Sequence, residues 1–246
     1  MNAMVRSIWT ILVAVAATLF FGSLAIIGCL ILRKGNIGVV LGGMWSRIIL
    51  RAAGIRIQYV GLENRAQNHS CVYIANHQSM VDIWALLPAL PKMTRFVAKE
   101  SLFRIPVLGW AIRAAGFIPI DRSNISKAMR SLEKAGAKIR AGHSVILFPE
   151  GTRSMDGRLR PFKKGAFHMA LRARVPIVPV TIQGSFSRLR PGTLWITPGE
   201  VTVHFGDPIE TAGFSDSRVA DLRDQLQDLI STTLNHLRTE AGGEVR

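Results

Sequence analysis

Cys71-Val72-Tyr73-Ile74-Ala75-Asn76-His77-Gln78-Ser79-Met80-Val81-Asp82-Ile83-Trp84-Ala85-Leu86-Leu87 is the stretch on which the fold of this chain turns. Residues 71–75 read as a short buried strand, and 80–87 as an apolar helical run after a polar loop. A strand feeding a helix in this way is the building unit of α/β architecture. Between the two lie a histidine and an aspartate five positions apart. Five helical steps turn by about 500°, so two helical side chains at this spacing would point ~140° apart. His77 and Asp82 meet only if His77 sits in the loop and Asp82 in the first helical turn. A neutral imidazole on a loop, oriented by a buried carboxylate, is suited to taking a proton from a hydroxyl near neutral pH. The same letters also spell Ser79-x-x-Asp82, a capping box, so Asp82 carries two readings, helix cap and orienter of a base.

On both sides of this stretch, short apolar strands alternate with helices. Strands are expected near 55–60, 71–75, 95–98, 117–120, 145–148, 177–182 and 201–205. Helices are expected near 80–87, 107–115, 125–141, 165–172 and 218–238. The alternation predicts an α/β fold with a mixed, largely parallel sheet flanked by helices. Ligands of such sheets gather at the carboxyl ends of the strands, and His77, Arg122 and Glu150 each fall within a few residues of one. No internal repeat is visible.

The N-terminus differs in kind. Residues 8–32 carry no charge over 25 positions, and fourteen of these are Leu, Ile, Phe or Val. At about 1.5 Å per residue such a helix exceeds the ~30 Å hydrocarbon core of a bilayer. A secretory signal peptide is the competing reading, but the run is longer than the usual apolar region of one. After Gly35-Asn36 a second segment, 37–53, places Arg47 and Arg51 on one helical face, a pattern that suits a helix at headgroup level. The expectation is a two-helix membrane anchor over 1–54 and one globular domain over 55–246. Crossing and re-entrant arrangements of the pair fit the sequence equally.

The chain of 246 residues has a formal net charge of +15. Five of its 31 basic residues precede Arg56 and no acidic residue precedes Glu63, which leaves the remainder near +10. A basic domain tethered to a membrane is expected to lie against anionic lipid. Nucleic acid is disfavoured as a partner by the apolar segment and by the lack of any nucleic-acid motif. Two cysteines, Cys29 and Cys71, suggest neither a disulfide framework nor a metal site, which suits a reducing, cytoplasmic face.

Two further segments carry chemistry. Gly116-Phe117-Ile118-Pro119-Ile120-Asp121-Arg122 sets an arginine between a strand and the helix that Ser123-Asn124 can cap, a good place for a phosphate. An Asp121–Arg122 surface pair is the plainer reading. Phe148-Pro149-Glu150-Gly151-Thr152-Arg153-Ser154 follows another strand. Gly151 permits close backbone approach and Arg153 offers a bidentate fork for a phosphate. Glu150, among Arg153, Arg158 and Arg160, is expected to stay ionised and to orient an arginine or accept a substrate hydroxyl. An ordinary strand-to-loop turn is the alternative. Arg158, Arg160, Lys163 and Lys164 read as a solvated or lipid-facing patch, and the other five histidines as structural or surface residues.

With the proline-bearing strand Val175-Pro176-Ile177-Val178-Pro179-Val180, these blocks resemble the glycerolipid acyltransferase family, in particular the 1-acylglycerol-3-phosphate O-acyltransferases. The resemblance covers His77 to about Pro179. It implies acyl transfer from an acyl-carrier protein or coenzyme A thioester to the sn-2 hydroxyl of lysophosphatidic acid, forming phosphatidic acid in phospholipid synthesis, with no cofactor and no metal. It implies His77 as base, Asp82 as its orienter, and Arg122, Glu150, Gly151 and Arg153 as binders of glycerol phosphate. Thr152 of the same block and Lys99, in Phe96-Val97-Ala98-Lys99-Glu100, are the further substrate-binding positions it implies. The place implied is a cell inner membrane, with the catalytic domain on its cytoplasmic face. An acyltransferase for another lysolipid, such as lyso-ornithine lipid, and a non-catalytic membrane lipid-binding protein are the alternatives.

Overall fold

The computed structural model describes residues 2–65 and 69–242. Helix α1 (Ala3–Leu32) starts where the Asn2 side chain accepts the Met4 N–H, and ends at Arg33 in the left-handed conformation. Helix α2 (Asn36–Ala53) runs back beside it to Gly54, whose φ of +69° is the left-handed C-terminal position that glycine occupies without strain. α1 buries its small residues, Ser7, Thr10, Ala17, Gly22, Ala25 and Cys29, and turns Ile8, Trp9, Leu12, Leu19 and Phe20 outward. This reverses the pattern of a soluble amphipathic helix. Small residues let the pair approach closely: a Cβ on Gly38 would lie 3.2 Å from Cys29 Sγ and 2.7 Å from Ala115 Cβ. Trp45 Nε1 donates to Thr18 Oγ1 across the hairpin at 3.0 Å.

Seven strands follow: β1 (Ile55–Val60), β2 (Val72–Ala75), β3 (Thr94–Lys99), β4 (Ile118–Ile120), β5 (Ser144–Leu147), β6 (Ile177–Gln183) and β7 (Gly199–Phe205). They form one sheet in the order β1-β7-β6-β2-β5-β3-β4, parallel throughout except for the β6–β7 pair. The expected mixed, largely parallel sheet is therefore present. Between the strands lie α3 (Val81–Leu86), α4 (Leu108–Ala114), α5 (Ile125–Arg140), α6 (Gly165–Ala173) and α7 (Ser185–Arg188), and α8 (Val219–Glu240) closes the chain. Strand residues alternate between two cores, as a pleated sheet covered on both faces requires. Tyr73, Ala75, Ile146 and Val178 face α2 and α3, whereas Val72, Ile74, Val145, Leu147 and Ile177 face α5, α6 and α8.

The boundary expected at residue 54 divides a shared core. Ile49, Leu50 and Ala53 of α2 sit in the same cluster as Tyr73, Trp84 and Phe96. α1 also lies along the domain rather than standing away from it. Ser7 Oγ accepts the Ile196 N–H at 2.9 Å near its start, and Gly22 abuts Val107 at its middle. Gly35, just past its end, abuts the Ala115 backbone. The hairpin is thus a wall of the globular part. A chain shortened to begin at Gly54 is expected to lose cooperative thermal unfolding, because Ile49 and Leu50 alone would open cavities costing about 2–5 kcal/mol each. A near-ultraviolet circular dichroism melt checks this.

Candidate active site

The parallel strands deliver every chemical segment to one end of the sheet. His77 follows β2, Lys99 ends β3, Arg122 follows β4, and residues 148–154 follow β5. Asn76 fixes the exit from β2: its amide donates to Ile182 O at 2.9 Å and accepts the Ile182 N–H at 2.7 Å, continuing the β6 ladder through a side chain.

His77 is held on every side. Its Nδ1 lies 2.8 Å from Asp82 Oδ2. Its N–H donates to Glu150 Oε1 at 2.6 Å and its carbonyl accepts the Ser154 N–H at 2.9 Å. Its ring stacks on Phe148, with centroids 4.0 Å apart and planes 18° from parallel. A carboxylate oxygen accepts, so Nδ1 carries the proton and the basic lone pair is on Nε2. Nε2 has no hydrogen bond to any described residue.

Asp82 is fully buried, and its two sequence readings are one structure. Oδ2 accepts from His77 Nδ1 and from the N–H groups of Gln78 and Ser79, all at 2.8 Å. The Ser79 N–H bond is the back-reaching half of a capping box, and the His77 bond orients the base. The Ser79 hydroxyl, however, donates to Leu189 O at 2.7 Å and accepts the Val81 N–H at 3.2 Å.

Glu150 corrects the expectation. It is 3 % exposed, and both oxygens are taken by backbone, Oε1 by the His77 N–H and Oε2 by the Arg160 N–H at 3.0 Å. It orients no arginine side chain and is shut off from substrate by burial; it clamps two loops together. Nor does it stay fully ionised. Burial, opposed by the two N–H donors and assisted by the charge of Asp82, pushes its carboxyl up to about 7. No arginine side chain hydrogen-bonds it: Arg160 donates its backbone N–H, and its guanidinium charge lowers the carboxyl least among the causes.

Arg122 donates from Nη1 to Gly151 O at 2.7 Å. Gly151 holds φ at +78°, which a side chain would strain. Asp121 does not pair with Arg122; its carboxylate takes the Ser123 hydroxyl and N–H and lies 3.4 Å from Lys127 Nζ. Asn124 caps α5 by accepting the Lys127 N–H. Burial first, and then the like charge of Arg153, lower the Arg122 guanidinium from its usual value. Two guanidiniums close enough to disfavour each other make a receptive place for an anion.

Lys99, Arg122, Gly151 and Thr152 line one cavity of ≈ 540 Å³, with Ser101 and Arg104 and the acidic Glu100 and Asp121 at its wall. Arg153 lines another, of ≈ 700 Å³, between α1 and the domain, whose walls include Ala14, Leu19, Met80, Trp84, Ile105 and Leu194. The sequence-predicted residues thus divide into a clamped base, a charged cavity holding Lys99 and Arg122, and one arginine at an apolar cavity. Sequence reading missed Asn76, Gln78, which donates to Gly157 O at 2.9 Å, and Phe148. Asn76 had a signal: an amide at the end of an apolar strand needs a partner there.

An acyltransferase family model matches residues 56–183. The 1-acyl-sn-glycerol-3-phosphate acyltransferase of Cocos nucifera is 38 % identical over 189 residues, covering 76 % of this chain and 60 % of that protein's length. The protein of the same name from Saccharomyces cerevisiae is 31 % identical over 236 residues, 94 % of this chain and 77 % of its own. The crystal structure of the 1-acyl-sn-glycerophosphate acyltransferase PlsC from Thermotoga maritima superposes with a TM-score of 0.85 at 26 % identity, covering 96 % of both chains. The histidine–aspartate block, the arginine after β4 and the residues after β5 all fall within the matched segment, and the chain belongs to the acyltransferase family.

Proposed function

We propose that the chain transfers an acyl group from a thioester to the sn-2 hydroxyl of 1-acyl-glycerol 3-phosphate, forming phosphatidic acid at a membrane surface. The observation that carries this is the clamped His77, whose one unbonded nitrogen belongs to the same strand-end cluster as Arg122 and Arg153. His77 Nε2 takes the proton of the acceptor hydroxyl as its oxygen attacks the thioester carbonyl. The carbon–sulfur bond then breaks, and the leaving thiolate recovers that proton from the imidazolium. Asp82 faces the charge that develops on the ring, and Phe148 presents an aromatic face to it. No group remains on the enzyme. Arg122, Lys99 and Arg153 hold the acceptor's phosphate, and the ≈ 700 Å³ cavity against α1 offers its chain an apolar wall. The thioester comes from an acyl-carrier protein or coenzyme A.

Membrane association is supported by α1, which is long and apolar enough to cross a bilayer, with a mean hydropathy of 2.5 over an 18-residue stretch. Its contacts with the domain from Ser7 to Gly35 favour a hairpin lying within one leaflet over a helix standing across it. The basic surface then faces anionic lipid, and a cell inner membrane with the domain on the cytoplasmic side suits both.

The test is product formation by the purified full chain from a labelled acyl thioester and lysophosphatidate. A panel of acceptors including lyso-ornithine lipid fixes the headgroup, and binding without turnover would establish a lipid-binding protein instead. Arg122→Ala and Arg153→Ala are each expected to lower the acceptor's kcat/KM by about 1.5–3 kcal/mol. Lysine should restore only part, since a point charge does not reproduce a bidentate fork. A loss confined to the KM of the thioester would move these arginines to the donor.

A further inference from the structure

Three of the five tryptophans are more than half exposed: Trp9 on α1 at 52 %, Trp110 on α4 at 58 %, and Trp195 in the loop after α7 at 57 %. Trp84, by contrast, is buried in the core at 8 %. A large aromatic surface left in water marks an interaction site. The elements carrying these rings all meet α1. The Ile196 N–H bond to Ser7 Oγ sets the Trp195 loop beside the start of α1, two residues from Trp9. Val107, just before α4, packs on Gly22 and sets Trp110's helix against the middle of α1.

The segments bearing Trp110 and Trp195 also supply walls of the ≈ 700 Å³ apolar cavity on its domain side. Ile105 and Leu194 line that cavity and are themselves 44 % and 72 % exposed. Exposed arginines flank both segments, with the Arg113 guanidinium 5.6 Å above the Phe103 ring and the Arg190 guanidinium 5.5 Å above the Phe186 ring. Apolar bodies, tryptophan rings and basic heads in that order are what the boundary between headgroups and acyl chains accepts. Ile8, Leu12 and Leu19 on the outward face of α1 are exposed as well.

We propose that Trp110 and Trp195 seat the α/β domain itself in the headgroup layer, so that the bilayer is held by a helix and a loop of the catalytic domain as well as by the helical hairpin. The cavity between α1 and the domain is then bordered by lipid on its loop side. The occupant of this surface is a lipid bilayer. The proposal rests on the reading of the acceptor as a membrane lipid, and its first test does not use activity.

Trp195→Cys and Trp110→Cys are made in the full chain, with Ser126→Cys on the exposed face of α5 as reference, and each is labelled with a fluorophore. Cys29 and Cys71 are buried and leave the reagent to the new thiol. The proteins are reconstituted in mixed phosphatidylcholine–phosphatidylglycerol vesicles. Labels at 195 and 110 should be quenched by lipids brominated near the headgroup and shielded from aqueous iodide, and the label at 126 should behave oppositely. Equal access of iodide to all three positions overturns the proposal. Shielding of 195 and 110 from both quenchers also overturns it and assigns the surface to a second copy of the chain.

The functional arm uses Trp195→Asp and Trp195→Phe. The aspartate variant should lower turnover of vesicle-borne lysophosphatidate about tenfold, the ratio for ~1.4 kcal/mol of lost membrane affinity. Its turnover of a short-chain, water-soluble acceptor should match wild type, and the phenylalanine variant should keep both rates. Equal losses on both acceptors, or none on either, overturn the proposal. A wild-type chain inactive on every acceptor refutes the proposed function but leaves the quenching result to stand or fall alone.

Discussion

Changing Asp82 to asparagine is expected to lower kcat by a factor on the order of 10²–10⁴ while the protein stays folded. The expectation follows from a single oxygen. Oδ2 accepts from His77 Nδ1 and the N–H groups of Gln78 and Ser79, whereas Oδ1 is buried with no hydrogen-bond partner among the described residues. An asparagine with its carbonyl oxygen in the Oδ2 place keeps all three bonds, and its amide nitrogen displaces nothing. Loop geometry and tautomer survive, at a cost of about 1–3 kcal/mol for the unpaired buried N–H groups. What disappears is the negative charge facing the imidazolium, 2.8 Å away in a site shut off from water, where such a charge acts most strongly. Asp82→Ala differs: it orphans three donors at once and is expected to unfold the loop. Measuring kcat and the thermal midpoint of Asp82→Asn in mixed micelles separates chemistry from stability. Near-normal turnover would leave Asp82 as a helix cap alone.

The elements legible in the sequence were those announced by side chains. All seven strands lie within one to two residues of their expected places, because each is a short apolar run bounded by turn residues. Short elements without a period to read escaped notice, among them α7 with four residues and the 3₁₀ turns Leu62–Asn64 and Glu100–Arg104. Strand order was not legible, since it is set by contacts such as Val72 with Val145 and Ile177, more than seventy and one hundred positions away. The histidine–aspartate pair could be read because helical geometry demands a loop at His77. The role of Glu150 could not, because its partners are the backbone N–H groups of His77 and Arg160, and a backbone group has no letter of its own. The same blindness applied to Ser154, whose N–H, not its hydroxyl, holds His77.

Glu150→Gln is expected to weaken the fold and the catalyst together, and to remove a pH dependence that the wild type shows. Two backbone donors face its two oxygens, at 2.6 Å from His77 and 3.0 Å from Arg160. Glutamine has one oxygen, so its amide nitrogen must confront one of those N–H groups. That leaves a buried donor unpaired, a loss of about 1–3 kcal/mol, and either loosens the backbone of His77 or frees the Arg160 loop. Turnover should fall with it, and a Glu150→Asp variant, which keeps two acceptors on a shorter arm, should recover less than full activity. The pH arm has a definite sign. The carboxyl is raised from its usual 4.5 to about 7, so between those values the folded chain holds a proton that the unfolded chain has released. The contribution of this group to stability is therefore complete below about 4.5 and is lost as pH rises through about 7, up to ~3 kcal/mol in all. Asp121 and Asp156, both lowered by hydrogen bonds first of all, act in the opposite direction but below that window. His143, lowered chiefly by burial, opposes Glu150 within it, so the difference between wild type and variant isolates the carboxyl. Urea unfolding in micelles at pH 5 and pH 7.5 should show the wild type losing more stability with rising pH than Glu150→Gln. Parallel profiles would mean that the two N–H donors outweigh burial and keep the carboxylate charged. Full activity in the variant would mean that Asp82, Phe148 and Ser154 hold His77 without the clamp.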